Sequence, residues 1–312
     1  MIPLLNTLTI NFVCRVRDKI IFRGFPGQTL RGAFGYSFRK ICCDTGLAEC
    51  EECQKKTKCA YSYAFETYVE KGKTRVSSER APHPFVFDVS LIEKSCYLPD
   101  EKFEFGMVII GNGLGLLGYF IEAVKCMGEQ GLGANHARFD LEYVTGVSGQ
   151  VLWEKKRGLL LSGLEPDKSS RADMPGPLKV MLVTPLRIIS RGQNQMKLDF
   201  GELLRHSMRR ASNLQYFYGD GDIEADWHGL LEKAGKVPKL YEDLFWFDQK
   251  RFSTRQKKEI PIGGILGEVI YGEGWQEFWP WLDIVRRVNL GKNCTLGMGK
   301  VVFRAPGTNI WI

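Results

Sequence analysis

The sequence lacks several features that would place it in a specialised class of protein. Its 312 residues contain no uncharged apolar run of the about 18 residues that a membrane span requires. The opening stretch MIPLLNTLTINF has neither a basic segment nor a small-residue cleavage motif, which argues against a signal peptide. No short repeat and no low-complexity tract is visible. These absences predict no contact with a membrane and make the cytoplasm the expected compartment.

Histidine is scarce, and neither sign of charge dominates. The four histidines are His83, His136, His206 and His228. The chain has 43 Lys and Arg against 36 Asp and Glu, a net charge of +7. This moderate excess is compatible with a polyanionic partner without demanding one. Hydrophobic residues make up 44% of the sequence, which is enough for a sizeable core in each of two domains.

Cysteine, by contrast, is abundant for a protein of a reducing compartment, where a disulfide framework does not form. Of the nine cysteines, Cys43, Cys50, Cys53 and Cys59 follow the pattern C-x6-C-x2-C-x5-C. The central CxxC resembles a zinc knuckle and predicts a structural zinc ion, with Cys42 as an alternative to Cys43. The other interpretation is a flexible insert that carries reduced cysteines. A closed site with four thiolates leaves no open position for catalysis.

Hydrophobic periodicity predicts an α+β protein with tandem ferredoxin-like (RRM-like, split βαβ) domains. The segment LTINFVCRV alternates as a half-buried strand, and apolar residues from Thr29 to about Cys43 recur at helical spacing. The order strand, helix, strands, helix, strand occurs twice. We predict a first domain over 1–150 with a cysteine-rich insert at 43–59, a linker or loop over 151–177, and a second domain over 178–312.

A glycine-rich, cationic stretch, NLGKNCTLGMGKVVF, lies between the last predicted helix and the last predicted strand. Backbone N–H groups in such a loop can bind phosphate, because glycine permits close approach. The order helix, loop, strand differs from both the Walker A motif and the dinucleotide fingerprint. Spacing alone therefore leaves two interpretations, a phosphate-binding loop and a tight connection.

The same stretch resembles the C-terminal glycine-rich loop of the RAMP superfamily of CRISPR RNA-binding proteins, through Gly291, Lys292, Thr295, Gly297 and Gly299. Further blocks, among them GQTLRGAFGYSFRK, CAYSYAFE, APHPFVF, TPLRI and PIGGILGEV, are similar to the branch that processes repeat RNA. This resemblance implies tandem ferredoxin-like domains and an endoribonuclease that cuts CRISPR precursor RNA at the repeat stem-loop. It also implies that catalysis needs no metal or other cofactor.

Cleavage by the ribose 2′-OH needs a base, an acid and a cation that stabilises the phosphorane, and it leaves a 2′,3′-cyclic phosphate. The resemblance implies a catalytic histidine on or just after the first helix, where this chain has none. Our catalytic candidates are therefore Arg31, Tyr36 and Lys40 of the first helix, together with His83. Tyr36 lies near the position where relatives can carry a catalytic tyrosine. The alternative is a solvated helix face and a structural histidine.

The predicted RNA contacts are cationic residues and glycines of the second domain, in a strand end, a helix, a basic hairpin and the glycine-rich loop. They are Arg187, Arg191, His206, Arg209, Arg210, Lys250, Arg251, Arg255, Lys257, Lys258, Gly291, Lys292, Gly297 and Gly299. The simpler interpretation of the hairpin is a solvated turn.

Two function classes follow from these features. The first is a nuclease that binds repeat RNA, as precursor and as mature CRISPR RNA. The second is a non-catalytic RAMP subunit that holds guide RNA among other CRISPR effector subunits, and the missing histidine of the first helix favours it. A third class, a zinc-bearing RNA-binding protein outside CRISPR systems, is supported by the cysteines alone.

Overall fold

A computed structural model describes residues 5–47, 49–66, 81–160, 164–169, 175–190, 192–253 and 258–304. Its α-helices in chain order are α1 Pro26–Cys42, α2 Leu117–Gln130, α3 Phe200–Tyr218, α4 Trp227–Ala234 and α5 Trp279–Val288. Its strands are β1 Thr7–Val16, β2 Ile20–Ile21, β3 Phe85–Asp88, β4 Cys96–Tyr97, β5 Lys102–Ile110, β6 Phe139–Gly146, β7 Val151–Glu154, β8 Gly158–Leu159, β9 Leu178–Leu186, β10 Ile189–Ser190, β11 Gln193–Asn194, β12 Lys239–Phe247, β13 Lys250–Ser253, β14 Lys258–Pro261, β15 Gly264–Tyr271 and β16 Val301–Arg304. None of the helices in these ranges is long and apolar enough to cross a bilayer.

The chain divides into two compact units. The N-terminal unit comprises Asn6–Asp167 and Phe217–Gly219. The C-terminal unit comprises Met1–Leu5, Lys168–Tyr216 and Asp220–Ile312.

The N-terminal unit is a ferredoxin-like domain. Its main sheet has the order β3-β5-β1-β6-β7-β8, and the pairs in it are antiparallel. With α1 and α2 inserted, the chain order β1-α1-β3-β5-α2-β6 is the split βαβ arrangement. Leu8, Ile10, Phe12, Cys14 and Val16 of β1 are all buried, as their alternation predicts.

Aromatic packing holds the helices on this sheet. Phe34 of α1 lies 5.4 Å from Phe87 and 5.7 Å from Phe120, measured between ring centres, and all three are fully buried. Burial of side chains of this size is worth roughly 1.5–3 kcal/mol each. Pro26 at the start of α1 and Gly131 (φ 85°) after α2 set the limits of the two helices.

The C-terminal unit repeats the arrangement with β9-α3-β12-β15-α5-β16 and the sheet order β12-β15-β9-β16. The prediction of tandem ferredoxin-like domains is therefore confirmed. A hairpin of β13 and β14 extends the connection between β12 and β15. The sequence interpretation missed α4, whose first turn is capped by the Asp226 side chain accepting from the Gly229 amide at 2.9 Å.

The predicted linker over 151–177 differs from the structure in its first part. β7 pairs with β6, and β8 pairs with β7, so these residues extend the N-terminal sheet. Asp167 then accepts hydrogen bonds from the hydroxyls of Thr7 (2.7 Å) and Thr9 (2.8 Å). The division between the units follows Asp167. The segment looked like a linker because these two strands are only four and two residues long.

Candidate functional site

Helix α1 carries three of the four predicted catalytic residues. One of them lies against aromatic rings, and the other two are exposed. The guanidinium carbon of Arg31 lies 4.3 Å from the centre of the Phe65 ring and 6.0 Å from that of Phe85. Tyr36 follows five positions later, about 140° around the helix, with 65% of its surface exposed. Lys40, one turn beyond Tyr36, is also exposed.

His83 lies against the same two rings as Arg31. Its ring centre is 6.1 Å from that of Phe65 and 6.0 Å from that of Phe85. Its Nδ1 is 3.0 Å from the carbonyl oxygen of Ala64. Because a carbonyl only accepts, Nδ1 donates, and in the neutral imidazole Nε2 then carries the lone pair. The structure therefore places Arg31 and His83 near the same two phenylalanine rings.

The sequence interpretation missed the aromatic support of this site. Phe65 stacks on Tyr61 with ring centres 4.9 Å apart and planes at 7°. The guanidinium carbon of Arg39 lies 5.6 Å from the centre of the Tyr61 ring. Two arginines of α1 thus contact one stacked pair of rings, and cation–π attraction orients them. The segments CAYSYAFE and APHPFVF already contain these rings, but their convergence depends on the fold.

The last cysteine of α1 and those that follow the helix line one cavity of about 550 Å³. Its lining includes Cys42, Cys43, Cys50, Cys53 and Cys59. The Thr45 hydroxyl lies 3.7 Å from the sulfur of Cys43 and 3.8 Å from that of Cys53.

Thiol acidity differs within this cavity. Burial, with the neighbouring Cys59 and Cys43, raises the pKa of Cys42 to about 12. Hydrogen bonding from Thr45 lowers the pKa of Cys43. Among the described residues, no group of three or more His, Cys, Asp and Glu side chains is arranged to hold a metal ion. Zinc at Cys43, Cys50, Cys53 and Cys59 therefore stays a prediction, and binding would require the thiols to move together.

The glycine-rich loop of the C-terminal unit is a tightly closed connection. Gly297 and Gly299 have φ of 85° and 72°, and their amides donate to the carbonyls of Cys294 (2.8 Å) and Pro185 (3.0 Å). A β-carbon on Gly291 would lie 2.5 Å from the Arg187 carbonyl oxygen. The glycines are needed for this backbone path, and two of their amides bind within the protein. RNA contact by Gly291, Gly297 and Gly299 stays a prediction.

Arg187 joins three of the predicted RNA-binding elements. Its carbonyl accepts from the Lys292 amide in the glycine-rich loop at 2.9 Å. Its Nη1 donates to the carbonyl of Pro261 in β14 at 2.5 Å, and its Nε donates to the Asn194 side chain at 3.0 Å. The end of β9, the basic hairpin and the glycine-rich loop therefore meet at one residue. Lys292 itself is exposed.

Helix α3 contributes residues of two kinds. Arg210 donates through Nη2 to the Val288 carbonyl at 3.0 Å, next to the glycine-rich loop, while Arg209 is exposed. His206 is largely buried, with Nε2 3.6 Å from a Glu202 carboxylate oxygen. Burial lowers the pKa of His206, and the nearby arginines lower it further, while Glu202 opposes them. His206 is thus biased toward the neutral form, which weakens a charge contact with phosphate.

The basic hairpin is partly described. Lys250 and Lys258 are exposed, and Arg251 is half-buried. The Lys250 ammonium lies 3.7 Å from a Glu259 carboxylate oxygen on the opposite strand. The remaining predicted contacts, Arg191, Arg255 and Lys257, lie outside the described residues.

Two family models match this chain. One, AF_1859_N, is described as an N-terminal domain and matches residues 5–163, just over half of the chain. The other is described as CRISPR-associated endoribonuclease Cas6 and matches residues 180–301. A comparison with curated protein sequences found no match.

Solved structures share the fold. Thermus thermophilus Cas6 has a TM-score of 0.54 at 11% identity, with 96% of this chain and 99% of that chain covered. A Cas6 product complex has the same TM-score and identity, with 94% and 98% covered.

A partial Cas6-RT-Cas1–Cas2 complex has a TM-score of 0.59 at 11% identity, with 99% of this chain covered. The present chain spans about half of that relative, 48% of its length. The chain therefore belongs to the AF_1859_N family over its N-terminal half, while residues 180–301 are similar to the Cas6 endoribonuclease family and the whole chain shares the fold of Cas6 structures.

Proposed function

We propose that this chain is an endoribonuclease that binds CRISPR repeat stem-loops and cleaves precursor CRISPR RNA by attack of the 2′-OH. The proposal places the chain in the RAMP superfamily. The cleavage product carries a 2′,3′-cyclic phosphate. The observation that carries the proposal is the approach of Arg31 and His83 to the same two rings, Phe65 and Phe85. An imidazole and a guanidinium near the same rings are a suitable pair for this chemistry.

The two side chains have separate tasks. The Nε2 of His83 accepts the proton of the 2′-OH, because Nδ1 is held by the Ala64 carbonyl. The 2′ oxygen then bonds to phosphorus as the bond from phosphorus to the 5′ oxygen breaks, and the 5′ oxygen takes a proton from solvent. Arg31 stabilises the charge that develops on the phosphorane oxygens, and the Phe65 ring limits how far its guanidinium moves. Tyr36 and Lys40, on an exposed face of α1, contact the substrate strand. None of these steps needs a metal ion.

Substrate binding falls to the C-terminal unit in this proposal. The exposed lysines of the hairpin and of the glycine-rich loop hold the phosphate backbone of the stem, and Arg187 fixes these two elements relative to each other. Repeat RNA, before and after cleavage, is the partner, and other CRISPR effector subunits are further partners. A charge-based contact of this kind weakens steeply with salt.

The decisive assay uses repeat RNA from the same CRISPR locus, in EDTA, with a second RNA that carries 2′-deoxyribose at the scissile position. We expect cleavage of the first RNA, no cleavage of the second, and a cyclic phosphate on the product. Binding of both RNAs with cleavage of neither would instead identify a non-catalytic subunit that holds guide RNA.

Single variants locate the site. Arg31→Ala and His83→Ala should each lower the cleavage rate by at least about a hundredfold while repeat binding persists. Tyr36→Ala and Lys40→Ala should have smaller effects, through weaker binding. His228→Ala, at an exposed histidine, and Arg157→Ala, at an exposed arginine, are the matched controls and should cleave normally. Normal cleavage by both His83→Ala and Arg31→Ala would contradict the assignment.

We also propose that Cys43, Cys50, Cys53 and Cys59 bind a structural zinc ion. All four line the same cavity, and thiolates are ligands that zinc prefers. Such an ion would stabilise the segment that carries Tyr61 and Phe65, and so the ring to which Arg31 is held. It has no part in cleavage.

A further inference from the structure

Strand β12 exposes three aromatic side chains. Tyr241, Phe245 and Phe247 are 48%, 56% and 40% exposed. β12 is an edge strand of its sheet. Exposed aromatic rings on an edge strand favour aggregation, so a group of them calls for a functional explanation.

The three rings share the face of the sheet that points away from the helices. Glu242 accepts a hydrogen bond from the Leu198 amide at 3.0 Å, just before α3 begins, so the side chain of Glu242 is on the helix side. Successive side chains of a strand alternate between faces. The register irregularity of β12 precedes Tyr241, so Tyr241, Phe245 and Phe247 lie on the opposite face.

The neighbouring strand β15 places apolar or small residues opposite the rings. In β15, Leu266 lies opposite Phe245, and Gly264, which has no side chain, lies opposite Phe247. Further across the sheet, Lys179 pairs with Glu268 at 2.5 Å, which neutralises that carboxylate. Asp243 lies on the same face, between Tyr241 and Phe245.

We infer that this face of the C-terminal sheet binds single-stranded RNA by stacking nucleobases on Tyr241, Phe245 and Phe247. The inference rests on the proposed function, because it supplies a site for the unpaired RNA that flanks a repeat stem. Phe245 and Phe247 are about 7 Å apart along the strand, which places the two rings side by side for neighbouring bases. Aromatic residues on a four-stranded sheet of this fold are a general means of binding unpaired RNA.

The charge of the adjacent segment favours nucleic acid over an apolar protein partner. Lys250 and Arg251 follow Phe247 within four residues, and Lys258 lies on the paired strand of the same hairpin. A strand of bases on the rings would therefore have cations for its phosphates close along the chain. The net charge of +7 acts in the same direction.

The test measures binding of oligouridine of about 12 nucleotides by fluorescence anisotropy. Tyr241→Leu, Phe245→Leu and Phe247→Leu keep apolar side chains but remove the rings. Each should weaken oligouridine binding by about five- to a hundredfold, with an unchanged salt slope. Leu240→Ala, at a 58% exposed residue of the same strand, is the control and should bind normally. Thermal unfolding of each variant verifies that it is folded.

A repeat stem-loop without unpaired flanks separates this inference from the proposed function. We expect the triple leucine variant to cut this RNA at the wild-type rate. If wild type cuts it but oligouridine binding is absent, or survives in the triple variant, the stacking site is wrong and the nuclease proposal stands. If wild type does not cut this RNA but loss of the rings abolishes oligouridine binding, the stacking site stands and the nuclease proposal is wrong. A dimer of wild type that the leucines dissociate, with oligouridine binding unchanged, would assign the face to a second copy of the chain.

Discussion

The guanidinium of Arg31 passes directly over Gly35, one helical turn further along α1. A β-carbon at position 35 would lie 2.8 Å from Nη1 of Arg31 and 3.2 Å from the edge of the Phe65 ring. A glycine in the middle of a helix is unfavourable by about 1 kcal/mol relative to alanine. Its presence is explained by the room that it leaves for Arg31 on the ring.

Gly35→Ala should therefore separate activity from stability. The new methyl group displaces the end of the Arg31 side chain, so we expect cleavage of repeat RNA to fall about tenfold or more. The free energy of unfolding should change by less than about 1 kcal/mol, because the gain in helix propensity offsets crowding against Phe65. Single-turnover cleavage and urea unfolding measure the two quantities.

Gly32→Ala is the matched control for this prediction. It lies in the same helix, and a β-carbon there would meet nothing within 4 Å. We expect a stability gain of up to about 1 kcal/mol and normal cleavage. Equal cleavage by the Gly35 and Gly32 variants would show that the position of Arg31 is unimportant.

His206 should make stability depend on pH. Burial lowers its pKa in the folded state below the unfolded value, so the unfolded chain binds more protons as the pH falls below about 6.5. The contribution of the neutral ring is present at neutral pH and is lost in acid. The unfolding free energy should fall less between about pH 7.5 and pH 5 in His206→Gln than in wild type.

The control for that titration is His228→Gln, at an exposed histidine of α4. It should retain the acid sensitivity of the wild type. A His206→Gln protein with the same pH profile as wild type would show that other groups, such as the salt-bridged carboxylates, govern acid stability.

A buried carboxylate stabilises α5. Asp283 is 1% exposed and bonds to Arg286 at 2.8 Å, to Arg287 at 3.0 Å and to the Ser169 hydroxyl at 2.7 Å. Asp283→Ala would leave two guanidinium groups without this partner in a buried place. We expect a loss of about 3–5 kcal/mol in the free energy of unfolding.

An exposed ion pair provides the comparison. Asp140 pairs with Arg17 where both side chains are substantially exposed, at 36% and 48%. Asp140→Ala should cost less than about 1 kcal/mol, because water screens the pair. Similar losses in the two variants would mean that burial of Asp283 is irrelevant to its contribution.

Gly299 should tolerate no side chain. Its φ is 72°, and a β-carbon there would lie 1.8 Å from the Leu290 carbonyl oxygen. Gly192 has a similar φ of 78° but open space around it. Gly192→Ala should cost about 1–2 kcal/mol from the left-handed backbone alone. Gly299→Ala should cost more than twice that, measured by urea unfolding, and equal costs would rule out the overlap.

Zinc content tests the cysteine cluster. We expect about one zinc ion per chain in protein purified without chelator, measured by plasma mass spectrometry. Cys50→Ser and Cys53→Ser should lose the metal and lower the melting temperature, whereas Cys96→Ser should retain it. Wild type that neither carries zinc nor takes it up would leave the cluster as reduced thiols.

The local pattern of apolar residues in the sequence was sufficient to predict much of the fold. In β1, apolar residues alternate with others because alternate side chains face the core. This pattern involves only adjacent positions in the sequence, so the sequence alone predicts the strand. The order of elements then selected the split βαβ arrangement in both halves. The short strands β7 and β8 were missed, since four and two residues are too few to carry a clear alternation.

The site was accessible to sequence reasoning only in part. Arg31, His83, Arg187 and Lys292 were all named from the sequence, but as separate residues. The sequence by itself determined the repeated fold, the glycine-rich connection and the supply of cations, since each is a property of neighbouring residues. Only the tertiary structure decided that Arg31 and His83 lie near the same two phenylalanine rings, because contacts between distant segments depend on how strands pair and helices pack.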